Sequence, residues 1–305
     1  MRTPPALQEL LDDGIIDEVV RQLKSGKEAA VYIVRCGTDL RCAKVYKDMT
    51  QRSFQRRAQY QEGRKVRGSR QARAMAKSTR YGRREQESAW KNMEVDALYR
   101  LVAAGVRVPQ PFGFFSGVLI MEMVTDETGD NAPRLGELEL SAGQAREYHQ
   151  FLIQQVVRML CVGLIHGDLS EFNVLVGAQG PVIIDLPQAV DAAGNNNAFA
   201  MLERDVGNLR RAMAQFAPEL LDTDFAAEMW ALFEQGELQP DSWLTGHHAR
   251  DETPADIDGV IDAIDHAREE ALRREQGREA LLQQAQERIL SDHRAIGVSK
   301  TARFI

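Results

Sequence analysis

Residues 165–173 read Ile-His-Gly-Asp-Leu-Ser-Glu-Phe-Asn and set Asp168 five residues before Asn173 on a short polar stretch. A carboxylate placed there can accept the proton of an attacking hydroxyl. A neutral amide oxygen beside it can hold a hard cation without repelling phosphate groups. Twelve residues past Asn173, the apolar run Val182-Ile183-Ile184 delivers Asp185 at its end. Asn173 and Asp185 thus offer the protein's share of a Mg²⁺ site, with phosphate and water as the other ligands. The chemistry implied is phosphoryl transfer, with Asp168 as its catalytic carboxylate.

Two more groups fit this chemistry. Lys44, in Ala43-Lys44-Val45-Tyr46, is a strand lysine of the kind that contacts nucleotide phosphates and pairs with a helix acid. Glu94 is the preferred acid, four residues after Trp90 on the same helical face, and Asp96 competes with it. The turn Ser25-Gly26-Lys27-Glu28 carries one glycine where a phosphate-covering G-x-G-x-x-G loop has three. Side chains must then share the phosphates with backbone amides, and Ser25 and Lys27 are the candidates. His166 is expected to brace the loop around Asp168 rather than to move protons.

The elements that must position these residues can be read from periodicity. Val19–Leu23 and Ala29–Val34 flank the Gly26 turn as a hairpin, and Arg41–Tyr46 is a third strand. Ala89–Ala104 has helical spacing and stops at Gly105. Phe112–Phe115 and Val118–Met123 form a second hairpin around Ser116-Gly117. Ser141–Val162 is a long amphipathic helix ended by Gly163, and Phe199–Phe216 and Asp222–Gln235 are helical. From Pro254 to His293 the chain is rich in Ala, Glu, Arg and Gln, a charged helix or helix pair. The order predicts an α+β fold of two lobes, a small β-rich one followed by an α-rich one, with a ligand site between them.

Composition bounds the rest. The 305 residues carry a net charge of −7, which argues against generic nucleic-acid binding. The charge is uneven: Gln51 to Lys91 holds thirteen Lys/Arg against three Glu. This basic insert, 48–88, reads as a loop or a partly helical segment. It has too few aromatic residues for a base-stacking platform. Ser53, Ser69, Ser78, Thr79 and Ser88, in or next to it, are candidate autophosphorylation sites. Cys36, Cys42 and Cys161 form no paired-cysteine motif, so a reducing cytoplasm is expected. No apolar run reaches membrane-spanning length, and no membrane role is expected.

At this level of detail the chain resembles the RIO-type atypical serine protein kinases, in particular bacterial members. The likeness rests on S-G-K-E-A at 25–29, A-K-V-Y-K at 43–47, H-G-D-L-S-E-F-N at 166–173 and I-D-L-P-Q at 184–188. It implies a two-lobed protein-kinase-like fold and ATP-dependent phosphorylation of serine or threonine on a protein substrate or on the chain itself. It implies Mg²⁺, which Mn²⁺ could replace. It assigns Asp168 as base, Asn173 and Asp185 as metal ligands, and Lys44 to the phosphates. Met121-Glu122-Met123-Val124 matches the family hinge, with adenine received by backbone groups near Glu122 and Val124. Some relatives act as ATPases through an acyl phosphate on the residue matching Asp185, and ligand and phosphate-acceptor roles both stay open. Relatives that work on the small ribosomal subunit raise an RNA or ribosome contact through the basic insert.

The expected division is an N-lobe at 1–124, a C-lobe at 125–222 and a helical extension at 223–305. Two other functions use parts of the same pattern. A small-molecule kinase of the aminoglycoside or choline type also carries H-G-D-x-x-x-x-N and I-D. A nucleotide-switched RNA- or ribosome-binding scaffold would keep the fold but lose Lys44, Asp168 or Asp185, and none of the three is lost.

Overall fold

The computed structural model describes residues 3–26, 29–47 and 94–247. Lys27, the basic insert and the charged stretch at 254–293 lie outside them.

Helix α1 (Pro5–Asp12) precedes strands β1 (Glu18–Ser25), β2 (Ala29–Cys36) and β3 (Asp39–Tyr46). A helix α2 follows, described over 94–103. Strands β4 (Pro111–Phe115) and β5 (Val118–Glu122) complete an antiparallel sheet of order β1-β2-β3-β5-β4. Side chains alternate between the faces of a strand, and this divides the sheet's contacts. Ala30, Tyr32, Val34, Ala43, Val118 and Ile120 pack under Leu7, Leu10 and Ile16. Ala29, Tyr46 and Leu119 point the other way, toward α2 and the second lobe. The sequence reading did not place α1. Its Leu7 and Leu10 are fully buried on the sheet.

The second lobe is mostly helical. Helix α3 (Ala142–Cys161) starts at a Ser141/Gln144 capping box, in which the Ser141 hydroxyl and the Gln144 side chain satisfy each other's free backbone N–H groups. It is followed by short strands β6 (Leu164–Ile165), β7 (Val174–Gly177), β8 (Gly180–Ile183) and β9 (Val190–Asp191). β6 pairs with β9 and β7 with β8, so two small ladders hold the loop 166–173 and the segment 184–189 side by side. Helix α4 (Ala198–Ala214) lies beneath this loop, and α5 (Phe225–Gln235) packs against α3 and α4. The core continues beyond α5, since Ala226, Met229, Leu238 and Leu244 are buried in the same cluster as α3 and α4. The arrangement is the expected two-lobed, protein-kinase-like α+β fold. No helix among the described residues is long and apolar enough to cross a membrane.

Candidate active site

The two lobes face each other across a small cleft. Lys44, Leu119 and Met121 line it from the sheet, Glu94 and Leu98 from α2, and Ile184, Asp185 and Leu186 from below. Lys44 sits at its inner end with a side chain only 11% exposed. Its Nζ donates to Glu94 Oε1 at 2.5 Å and to Asp185 Oδ1 at 2.9 Å. Burial disfavours the ammonium, but the carboxylates of Glu94 and Asp185 outweigh it and hold the Lys44 pKa above its ordinary value. The remaining oxygen of Glu94 accepts from the Tyr46 hydroxyl at 2.7 Å. Burial, reinforced by Glu94, pushes the Tyr46 pKa up, so it stays a donor. Asp96 is exposed on the far side of α2 and takes no part.

Asp185 is delivered by the end of β8 in a left-handed conformation, φ 69°. That region is uncommon for a residue other than glycine, and such strain is stored most often at functional sites. Burial opposes its charge, yet the Lys44 ammonium beside it holds its carboxyl below the usual range. Its side chain remains half exposed to the cleft.

Asp168 stands on the loop between β6 and β7. Its neighbours Gly167 and Leu169 are buried while Asp168 itself is exposed. His166 is buried beneath it. Its Nδ1 accepts from the Asp168 N–H at 3.3 Å, which leaves Nε2–H to donate to the Ile184 carbonyl at 3.0 Å. Burial depresses its pKa, so the ring is neutral and braces the loop against the strand that carries Asp185. Gly167 answers a backbone demand. Its φ is +79°, and a Cβ there would fall 2.5 Å from the Gln188 carbonyl oxygen. The Asn173 amide nitrogen donates to the Asp168 carbonyl at 2.8 Å, so its amide oxygen is left to serve as a ligand.

Helix α4 supplies what the sequence reading missed. Asp205, buried, accepts from the Gly167 N–H at 2.7 Å and from the Leu169 N–H at 3.0 Å. Arg204 donates to the Gly167 carbonyl, and Asn208 donates to the Leu169 carbonyl at 2.9 Å. Three side chains of one helix thus grip the backbone on both sides of Asp168. Burial raises the Asp205 pKa to about 7, against the two backbone donors that lower it. An acid in a helix gives no local sign that it faces a loop 36 residues away, and only the packing of α4 reveals it.

The remaining candidates divide. The Ser25 hydroxyl accepts from Lys47 at 2.8 Å, and Lys47 also donates to the Gly26 carbonyl at 2.7 Å. No bond joins Ser25 to Lys44 or Asp185 among the described residues, and Lys27 lies outside them. The Glu122 carboxylate is gripped by Arg107 through two bonds of 2.6 and 2.8 Å and by the Gln110 N–H at 3.0 Å. The Glu122 N–H donates to the Gln110 carbonyl, and the Val124 carbonyl accepts from Ala132. Arg107, which no motif signals, also donates its N–H to the buried Gln155 and accepts from the Ile183 N–H. It ties the hinge to both α3 and β8.

The donor set suits a hard divalent cation. Asn173 and Asp185 present amide and carboxylate oxygens, and no cluster of three His, Cys, Asp or Glu exists among the described residues. Two protein oxygens with the rest drawn from phosphate and water is the ordinary environment of Mg²⁺ beside a nucleotide.

Residues 30–226 match the family model described as the RIO domain. The chain is 32% identical over 205 residues to the RIO-type serine/threonine-protein kinase Rio1 of Haloferax volcanii, covering 67% of this chain and 66% of that protein. It is 32% identical over 210 residues to the serine/threonine-protein kinase RIO1 of Homo sapiens, covering 68% of this chain and 35% of that protein. The match thus spans about two thirds of one of these curated relatives and about a third of the other. The crystal structure of a kinase domain is also similar, with a TM-score of 0.44 and 12% identity over 65% of this chain and 63% of its own. The family model covers the motifs at 43–47, 166–173 and 184–188, and the chain belongs to the RIO domain family.

Proposed function

We propose that this protein is an ATP- and Mg²⁺-dependent serine/threonine protein kinase of RIO type, acting on a protein substrate or on itself. Kinases of this family use ATP and a divalent metal in general, and the residues in the cleft fit both. The observation that carries the reading is the Lys44 ammonium held at once by Glu94 and Asp185, with the Asp168 loop braced through His166 against the strand that carries Asp185. Lys44 would position the inner phosphates, Glu94 would fix Lys44, and Asn173 and Asp185 would hold Mg²⁺, which would supply positive charge to offset that of the phosphates. Asp168, exposed on a braced loop, would take the proton of the substrate hydroxyl as that oxygen attacks the terminal phosphorus. Of the hinge groups near adenine, the Glu122 carbonyl and the Val124 N–H are the ones suited to it, since their partner groups bond within the fold. Unpaired Cys36, Cys42 and Cys161 favour a reducing, cytoplasmic setting.

A second reading uses Asp185 as nucleophile. An ionised, half-exposed carboxylate could attack the terminal phosphorus, release ADP and form an acyl phosphate that water then hydrolyses. This ATPase cycle and the kinase reaction differ in product. Incubation with γ-labelled ATP and Mg²⁺ should label the protein or an added protein substrate on acid-stable serine or threonine, and Asp168→Ala should lose this label by about 10²–10⁴-fold. Label that is lost in base or hydroxylamine would assign the acyl phosphate to Asp185 instead. Transfer only to small alcohols would replace both with a small-molecule kinase.

A further inference from the structure

The turn between β1 and β2 raises a question that the motifs leave open. Counting back from Val31, the pattern G-x-G-x-x-G-x-V falls on Lys24-Ser25-Gly26-Lys27-Glu28-Ala29-Ala30-Val31. Lys24 stands where the first glycine would be. Loss of that glycine removes a place where bare backbone approaches phosphate, and it adds a cation there.

The register fixes which way this cation faces. Lys24 pairs with Val31, Val31 with Lys44, and Lys44 with Leu119. Residues opposite one another in neighbouring strands share a face. Lys24 therefore lies in the same row as Lys44, on the cleft side of the sheet, two strands or about 10 Å away. Ser25 pairs with Ala30, whose side chain packs under α1 on the other face. The bulge between Gln22 and Lys24 makes this switch. Electrostatic coupling agrees with the register. The Lys24 ammonium feels Asp185 and Glu137 as attractive charges and Arg134 as a repulsive one. Asp185 in turn feels Lys24.

The cations around the cleft differ in how they are committed. Lys44 is bound to Glu94 and Asp185, and Lys47 to Ser25 and Gly26. Lys24 is exposed, and among the described residues it makes no hydrogen bond or close ion pair. A nucleoside triphosphate brings several negative charges to a cleft that already holds Glu94, Asp168 and Asp185. Lys44 at the inner end serves the inner phosphates. The outer, transferable phosphate must lie nearer Asp168 and Asp185, under the row that Lys24 ends.

We propose that Lys24 is a phosphate-binding residue that contacts the terminal phosphate of the bound nucleoside triphosphate from the roof of the cleft. The assignment rests on the nucleotide-dependent reading above. It makes Lys24 a discriminator between triphosphate and diphosphate, so that product ADP is held less tightly than ATP.

The test is a titration of the full chain with ATP, ADP and adenosine in Mg²⁺ buffer, for wild type and for Lys24→Gln and Lys24→Arg. Lys24→Gln should weaken ATP binding about tenfold and leave ADP and adenosine within about twofold. Lys24→Arg should restore most of the ATP affinity. Thermal melting should be unchanged, since the side chain is exposed on an edge strand. Equal affinities of wild type and Lys24→Gln for ATP would overturn the proposal, and so would an equal loss for ATP and ADP. Failure of the wild type to bind any nucleotide would instead remove the reading on which it rests.

Discussion

The two reactive carboxylates of the cleft, Asp185 and Asp168, are held by opposite means. Asp185 meets the Lys44 ammonium that reaches down from the sheet, and Lys44 is in turn held by Glu94 of α2. On the helical side, Asp168 takes no part in such a network. Its position comes from backbone groups of Gly167 and Leu169, which Arg204, Asp205 and Asn208 clamp from α4. A charge network ties stability to the reacting groups, so removing one member leaves another buried and uncompensated. A backbone clamp separates them, and Asp168 can be changed without disturbing what holds it.

The largest effect that would sharpen this contrast is expected on the sheet side. Lys44→Met should lower phosphoryl transfer by about 10²–10³-fold and destabilise the fold by about 3–5 kcal/mol, because Glu94 is left charged and buried. The double change Lys44→Met with Glu94→Gln should recover most of that stability and none of the transfer. Asp168→Ala should lose transfer with little change in stability. Denaturant unfolding of the three proteins measures this, and a double variant as unstable as the single one would break the comparison.

A smaller effect is expected from the clamp. Asp205→Asn keeps the shape of the side chain but replaces one acceptor with a donor, so one of the two loop N–H groups loses its partner. A loop displaced by about 1 Å costs on the order of 10²-fold in rate. The loss should fall on kcat, with KM for ATP within about twofold, because the nucleotide is held by the Lys44 network. A rise in KM with kcat unchanged would show that α4 acts on nucleotide binding instead.

This contrast also explains what could be read from the sequence. Lys44, Asp168, Asn173 and Asp185 stand in short motifs because each needs a fixed local neighbourhood, a strand or a loop of set length. Both hairpins, α3 and α4 were visible as well, since their apolar periods are regular, and Gly163 ends α3. Glu94 could be preferred over Asp96 only by helical spacing, and burial separates them. Asp205, Asn208 and Arg107 left no local signal, because their partners are backbone groups or side chains brought near by the fold. Helix α1 was passed over because it is short and opens with two prolines. Ser25 was expected at phosphate by its place in the turn, and the register that pairs Lys24 with Val31 leaves no sign in the sequence, because the bulge in β1 that sets it is not a motif.

The smallest prediction concerns pH, and it sets two buried groups of the helical lobe against each other. The Asp205 pKa is raised to about 7 by burial, so between about pH 4 and 7 the folded state holds a proton that the unfolded chain has released. Stability from this group falls as pH rises through that window. The His149 pKa is lowered to about 4 by burial and by Arg210, and its buried Nε2 has no hydrogen-bond partner among the described residues. Between about pH 4 and 6.5 the unfolded chain binds the proton and the folded state does not, so stability from this group rises with pH. The two slopes, each at most about 1.4 kcal/mol per pH unit, oppose each other across the shared range. Asp205→Asn should therefore make stability rise more steeply from pH 4 to 6.5 than in the wild type. His149→Met should make it fall more steeply from pH 4 to 7. Unfolding curves at several pH values read the slopes directly and are insensitive to any constant offset that either substitution adds. Parallel curves for wild type and Asp205→Asn would mean that the two backbone donors, not burial, set the charge of Asp205, and the clamp would then hold Asp168 through an ionised carboxylate.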